Sequence, residues 1–171
     1  DADCMVLLDD DCSAIKVYQN QQAVQLSPDE LTEACEGWAM LCQEWGFHFW
    51  GLNCTPDKGA YREYTPFGTL QYIGGPFQAH MASSQIRYDE DLPLKEDYDI
   101  TLQHILQHGG CLRINFAHYS VKQAEQAGGC ATYRNLDREK QQFFALCQDA
   151  ALSIAHELET LIYKGNPERA L

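Results

Sequence analysis

Basic residues are scarce in this chain, which has 12 Lys and Arg against 25 Asp and Glu in 171 residues and a formal net charge of −13. A field this acidic repels polyanions, so nucleic acid would be bound only through a local basic patch or a bound cation. The sequence also lacks an apolar run close to the roughly 18–20 residues of a membrane span. It shows no basic segment followed by an apolar stretch near its start, as a signal peptide would. We therefore expect a cytoplasmic protein with no membrane partner.

Closely spaced cysteine pairs are missing as well. The eight cysteines include no CxxC pair and no Cys/His cluster with the spacing of a zinc finger. Cys35 and Cys42 are seven residues apart, which places both on one face of a helix. These features favour reduced, mostly buried thiols over a disulfide framework.

The composition of the chain is typical of a globular protein, with 45% hydrophobic and 11% aromatic residues. The length suits a single domain over residues 1–171. Predicted strands and helices follow one another, which favours an α/β fold with a mixed, mostly parallel sheet flanked by helices. The predicted strands cover residues 4–8, 14–18, 47–52 and 111–117, with a further pair at 61–64 and 69–72. The predicted helices cover residues 28–45, 96–107 and 137–165, and the last of these is long and amphipathic.

The first candidate site follows the apolar run 4–8, which predicts a strand buried on both faces. Asp9, Asp10 and Asp11 come directly after it. Alternate residues of an extended segment point the same way, so Asp9 and Asp11 can converge on one cation. Oxygen ligands favour Mg²⁺ or Mn²⁺. The alternative is a solvated acidic turn.

A second acidic motif, Glu96-Asp97, opens the predicted helix 96–107. Carboxylates in a first helical turn are stabilised by the helix dipole, which is explanation enough for their presence. A carboxylate facing a bound substrate from that position can also act as a general base. Both interpretations stay open at this point.

Three weaker signals remain. Gly74 and Gly75 permit close backbone approach to a substrate, but they suit a tight turn equally well. His118 follows the predicted strand 111–117 and is a candidate metal ligand or a hydrogen-bonded structural residue. Arg134 ends a glycine-led segment, 128–134, that can fold around a phosphate or sugar or form a simple turn.

The order of these motifs resembles the second, C-terminal half of a GT-A nucleotide-diphospho-sugar transferase. More closely, residues 96–103 (EDYDITLQ) and 128–134 (GGCATYR) resemble phage glycosyltransferases of the TET/JBP-associated family. The resemblance covers about residues 5–134. It implies metal-dependent transfer of a sugar from a nucleotide-sugar donor to a hydroxyl acceptor, with a hydroxymethylated base in DNA as the acceptor.

The resemblance also implies roles for individual residues. The metal ligands implied are Asp9, Asp11 and His118, and Asp10 would contact the sugar or its ribose. Asp97 would abstract the proton, Glu96 would contact the acceptor, and Gly74 and Gly75 would shape the acceptor side of the pocket. Arg134 and Arg113 would bind the diphosphate. The cofactor implied is Mn²⁺ or Mg²⁺. Inverting chemistry would use Asp97 as the base, and a retaining mechanism stays open.

The resemblance is incomplete, because GT-A proteins place a nucleotide-binding half before the Asp-x-Asp motif. Eight residues precede Asp9 here, so we expect that half to be missing from this sequence, supplied by another chain, or lost. A non-catalytic binding domain on a glycosyltransferase scaffold is therefore one alternative. A haloacid-dehalogenase-like phosphatase is another, with Asp9 as nucleophile and Asp11 as acid/base, although Glu96-Asp97 matches its later acidic motif poorly.

A DNA acceptor would need positive charge within this acidic chain. Residues 111–140 carry five basic and three acidic side chains. This stretch can contact phosphates, or it can be an ordinary solvated face.

Overall fold

Seven strands form one mixed sheet in the computed structural model, which describes residues 3–56, 65–92, 94–121 and 135–165, with only the backbone from 153 onward. The strands are β1 (Cys4–Leu8), β2 (Cys12–Gln19), β3 (Gln22–Gln25), β4 (Phe49–Asn53), β5 (Phe67–Gly68), β6 (Phe77–Met81) and β7 (Leu112–Val121). The helices are α1 (Pro28–Glu44), α2 (Glu96–His108) and α3 (Leu136–Gly165).

The sheet order is β1-β6-β4-β7-β2-β3, and β5 pairs with β7 away from this path. This confirms an α/β fold with a mixed sheet. The expectation of a mostly parallel sheet is wrong, because in the described part of the chain only β4 and β7 pair in parallel. The hairpin from β2 to β3 turns at Asn20 and Gln21, both with positive φ, and a hairpin can join only antiparallel strands.

Strand β1 lies at the edge of the sheet and pairs antiparallel with β6. The sequence predicted a strand buried on both faces. Instead, Met5 is 56% exposed and Leu8 is 53% exposed. An edge strand has one neighbour, so a continuous apolar run does not ensure burial here.

Helix α1 forms within the predicted range 28–45, and it begins with a capping box. Ser27 accepts a hydrogen bond from the amide of Glu30, and the Glu30 carboxylate accepts one from the amide of Ser27. Together they satisfy two of the amides that a helix leaves unpaired at its start. The helix ends before Gly46, whose φ of 76° is costly for other residues.

Helix α2 and strand β7 extend further than predicted. Helix α2 continues to His108 and ends before Gly109, which has a φ of 76°. Strand β7 continues to Val121, so His118 lies inside the strand and not after it. The strand predicted over residues 69–72 does not form, and the two residues just before it, Phe67 and Gly68, form β5. Residues 61–64 lie outside the described residues.

The core has two parts. Trp38 of α1 packs against Trp50 of β4, with ring centroids 5.9 Å apart, and a large apolar cluster surrounds them. A second cluster joins Phe49 to Ile100 of α2. Adjacent strand residues point to opposite faces, so Phe49 and Trp50 place α2 and α1 on the two sides of the sheet.

Helix α3 contacts the start of α2. Lys95 and Glu139 form an ion pair at 2.6 Å, and Gln142 donates a hydrogen bond to the carbonyl of Asp91. Of the helices in the described ranges, none combines the length and apolar character needed to cross a membrane.

Candidate functional site

Two acidic segments meet at the segment Gly74–Pro76, which we call the glycine loop. The amide of Asp9 donates a hydrogen bond to the carbonyl of Pro76, with an N–O distance of 3.3 Å. The amide of Gly75 donates one to Oδ2 of Asp97, at 3.4 Å. The structure therefore brings Asp9 and Asp97 to the same three-residue loop, although they are far apart in sequence.

Electrostatic repulsion accumulates at Asp9. Burial raises the pKa of this carboxyl group, and the charges of Asp11, Asp10 and Asp97 raise it further. Like charges gathered around one carboxylate in this way form a site that a cation would stabilise. The raised pKa also indicates that Asp9 and Asp97 share one electrostatic environment.

Asp11 and Asp10 differ in their surroundings. Asp10 is exposed, whereas Oδ1 of Asp11 is buried and has no hydrogen-bond partner among the described residues. An unsatisfied buried carboxylate oxygen beside Asp9 suits a hard divalent cation, so the donors present fit Mn²⁺ or Mg²⁺. The described residues contain no group of three or more His, Cys, Asp or Glu side chains placed to hold a metal ion. A cation bound here would draw further ligands from substrate phosphates and water.

The carboxylate of Asp97 is held from several directions. The phenol of Tyr72 and the amide of Gly75 both donate hydrogen bonds to Oδ2. The amide of Tyr98 donates one to Oδ1, at 2.9 Å. Thr101 joins the same helical turn to the chain before the glycine loop, because its hydroxyl donates to the Asp97 carbonyl and accepts from the Ile73 amide.

The two glycines of the loop have different surroundings. A Cβ atom on Gly74 would lie 2.3 Å from the hydroxyl of Tyr119 and 3.2 Å from Sγ of Cys54. A Cβ atom on Gly75 would lie 3.8 Å from Oδ2 of Asp97, an ordinary contact. Gly74 is therefore required by close packing within the protein, whereas Gly75 faces the candidate base.

Three tyrosines that the sequence analysis did not identify belong to this site. Tyr72 bonds to Asp97, Tyr119 abuts Gly74, and Tyr88 lies in the field of Asp97. Burial raises the pKa of each phenol, with acidic neighbours adding to the shift, and that of Tyr88 reaches about 12. All three are thus neutral hydroxyl groups at physiological pH.

The charge of Glu96 is near enough to Tyr88 to contribute to the raised pKa of that phenol. Tyr88 lines a neighbouring groove of about 340 Å³, together with Met5, Met81 and Ile86. A groove of this size can hold a small ligand group. The hydroxyl of Tyr88 donates a hydrogen bond to Oε1 of Gln78 and lies 3.0 Å from Nε2 of His80.

His118 occupies a different environment. Its ring centroid lies 5.2 Å from that of Tyr18, and it is opposite Lys16 in the pairing of β2 with β7. Burial lowers the pKa of His118, and the charge of Lys16 lowers it further. None of its contacts in the described part of the chain involves Asp9 or Asp11, and its role as a third metal ligand stays a prediction.

Arg113 and Arg134, which the resemblance assigns to the diphosphate, differ in what the structure describes. Arg113 donates hydrogen bonds to the carbonyl of Tyr72, at 3.4 Å, and to Oδ1 of Asn115, at 2.9 Å. Its described contacts thus support the residue that binds Asp97. Arg134 lies outside the described residues.

The arrangement provides a carboxylate pair suited to a cation and a separately held carboxylate suited to accepting a proton, with the hydroxyl of Tyr119 beside Gly74 and that of Tyr72 on Asp97. Comparison of the chain with protein-family models, curated proteins and solved structures gives no match. The function is therefore argued from this geometry and from the motifs.

Proposed function

We propose that this chain is a divalent-cation-dependent glycosyltransferase that moves a sugar from a nucleoside-diphosphate donor to a hydroxyl acceptor. The observation that carries the proposal is the meeting of Asp9 and Asp97 at the glycine loop. In this proposal Asp9 would hold the cation together with Asp11, and Asp97 would serve as the base. The order of the motifs suggested Asp9 and Asp97 as a functional pair. Their hydrogen bonds to one loop give a physical reason for the two residues to act together.

The chain's own residues account for the proton and for donor placement. Mn²⁺ or Mg²⁺, held by Asp9 and Asp11, would neutralise charge on the donor diphosphate. In an inverting reaction Asp97 accepts the proton of the acceptor hydroxyl, whose oxygen bonds to the anomeric carbon. The bond from that carbon to the phosphate oxygen breaks, and the nucleoside diphosphate leaves. The hydrogen bonds that hold the Asp97 carboxylate would favour the reaction, because a correctly oriented base lowers the barrier to proton transfer.

The acceptor class follows from the resemblance to the phage family, which makes a hydroxymethylated base in DNA the first acceptor to test. The basic surplus of residues 111–140 supports contact with phosphates. Arg113 contributes less to such a surface than its sequence position suggests, since it bonds to the carbonyl of Tyr72. Neutralising Lys122 and Lys140 together should reduce turnover on modified DNA if the patch serves the acceptor, and unchanged turnover would remove the patch from the proposal.

Donor binding tests the proposal directly. Calorimetry with a panel of nucleotide sugars should show binding of at least one of them in the presence of Mn²⁺, and chelation with EDTA should abolish it. Absence of binding by every donor, with and without Mn²⁺, would contradict the proposal. Binding without sugar transfer or donor hydrolysis would favour a non-catalytic binding domain.

A phosphatase would use Asp9 as its nucleophile, whereas Asp97 would have no catalytic role in it. Replacing Asp97 by Asn would leave a phosphatase active and would disable the transferase. Phosphate release from a generic phosphomonoester by both the wild-type protein and the D97N variant would therefore favour the phosphatase.

A further inference from the structure

We propose that Tyr72 is a positioning residue for Asp97, and that its hydrogen bond leaves Oδ1 of Asp97 as the atom that takes the acceptor proton. This inference rests on the proposed function, in which Asp97 is the general base. Beyond that function, it identifies the Asp97 oxygen that accepts the proton and the side chain that leaves this oxygen available.

The hydrogen bonds at Asp97 distinguish its two oxygens. Oδ2 accepts from the phenol of Tyr72 and from the amide of Gly75, which uses both of its lone pairs. Oδ1 accepts one bond from the described residues, from the amide of Tyr98 at 2.9 Å. One lone pair of Oδ1 therefore stays available to an incoming hydroxyl group.

Tyr72 is itself restrained at both ends. Its ring stacks on that of Tyr98, with centroids 4.3 Å apart and planes at 21°. Its carbonyl accepts a hydrogen bond from Arg113, and the amide of the next residue, Ile73, bonds to the hydroxyl of Thr101. A donor fixed in this way limits the rotation of the carboxylate that it holds.

The phenol can only act as a donor in this contact. Burial raises the pKa of Tyr72, and the hydrogen bond and charge of Asp97 raise it further, so the hydroxyl stays protonated. The proton of the acceptor hydroxyl therefore passes to Oδ1, while the phenol keeps its own proton. The O–H bond of the acceptor breaks and an Oδ1–H bond forms.

The experiment compares Tyr72→Phe with Tyr18→Phe. The control also removes one phenol that donates a hydrogen bond, in its case to the carbonyl of Pro56. The first measurement uses the protein alone: amide chemical shifts of Gly75 and Tyr98, with Asp97→Asn as the reference for a lost carboxylate. We expect Tyr72→Phe to move the Gly75 amide towards its position in the reference, and Tyr18→Phe to leave both amides in place. Unchanged amides in Tyr72→Phe would overturn the inference.

The second measurement uses the kinetics of a donor that the wild-type protein accepts. Tyr72→Phe should lower kcat by about 10- to 100-fold, less than the roughly 10²- to 10⁴-fold that a general base itself contributes, because Asp97 is still present. The dissociation constant of the donor should change less than about twofold. Full kcat in Tyr72→Phe would overturn the inference and leave the proposed function intact. If the wild-type protein turns over no donor, the proposed function fails, and the amide shifts still decide whether Tyr72 fixes the carboxylate.

Discussion

The amide nitrogen of Asp9 lies 3.3 Å from the carbonyl oxygen of Pro76 and donates a hydrogen bond to it. One residue earlier, the amide of Gly75 bonds to Asp97. A loop that bonds to the backbone of Asp9 and to the carboxylate of Asp97 determines how far apart these two residues lie. Changes within the loop should therefore affect cation binding and proton transfer together, and changes to either acid should affect only one of them.

The two loop glycines should respond differently to alanine. In Gly74→Ala the new methyl group meets the hydroxyl of Tyr119 at 2.3 Å, so we expect a loss of about 1–3 kcal/mol in the free energy of unfolding, as for other overpacked sites. In Gly75→Ala the nearest atom is 3.8 Å away, and the loss should stay below about 1 kcal/mol. Urea unfolding of both variants provides the measurement. Equal stability of the two would show that Tyr119 does not pack against Gly74.

Cation binding should depend on Asp9 and on pH. Asp9→Asn should weaken Mn²⁺ binding by about tenfold or more, whereas Glu36→Gln on exposed α1 removes the same charge at a distance and should have little effect. Because the pKa of Asp9 is raised, protons compete with Mn²⁺ at a higher pH than at an ordinary aspartate. Affinity should therefore fall as the pH is lowered in the wild-type protein. Equal Mn²⁺ affinity in both variants, measured by calorimetry, would place the cation elsewhere.

Four histidines form a cluster that gives the fold a second pH response, with His80 and His104 buried and His48 and His108 half-buried. The ring of Phe49 lies between those of His80 and His104, at 4.8 and 4.7 Å, and His48 and His108 stack at 4.2 Å. Burial lowers the pKa of His80 to about 4 and that of His104 to about 3. The charge of Arg87 adds to the first shift, and the other three histidines add to the second.

Acid should therefore destabilise the protein through these histidines. Below pH 6.5 the unfolded chain binds protons that folded His80 and His104 reject, so stability falls with pH by up to about 1.4 kcal/mol per unit for each of these two histidines. The loss of stability continues until the pH approaches the lowered pKa values of these histidines in the folded protein. His104→Phe keeps an aromatic ring beside Phe49 and removes one proton site, so its stability should change less between pH 7 and 5. Identical slopes in urea unfolding of the two proteins would contradict this account.

The thiols should differ in reactivity according to burial. Cys42 and Cys111 are fully buried, and burial raises the pKa of the first to about 12 and of the second to about 11. Cys147 on α3 is exposed. Brief treatment with iodoacetamide at pH 8, followed by mass spectrometry, should find Cys147 alkylated and the other two unmodified. Alkylation of Cys42 at the same rate as Cys147 would show that the core opens readily.

The sequence analysis succeeded where local chemistry determines structure. The capping box of Ser27 and Glu30, and the glycines at 46 and 109, mark helix ends through interactions within a few residues. It failed for β1, because the apolar run 4–8 looks the same whether a strand has one neighbour or two. It missed β3 because the turn at Asn20 and Gln21 contains no glycine, although both residues have positive φ.

The same division applies to the candidate site. Asp9, Asp97 and the glycine pair could be selected from motifs, because each is a short segment of unusual composition. The contributions of Tyr72 and Tyr119 could not, since their hydroxyl groups reach the site through packing between distant segments. His118 was selected as a lone histidine after a strand, and its contacts with Tyr18 arise from the pairing of β2 with β7, which the sequence does not reveal.

The central claim is that Asp9 and Asp97 have separate roles at one site, and sugar transfer measured beside donor binding tests it most directly. With a donor that the wild-type protein binds in Mn²⁺, Asp97→Asn should keep the donor dissociation constant within about threefold and lose at least about 100-fold in turnover. Asp9→Asn should lose donor binding itself. Full turnover by Asp97→Asn, or unchanged Mn²⁺-dependent donor binding by Asp9→Asn, would contradict the account.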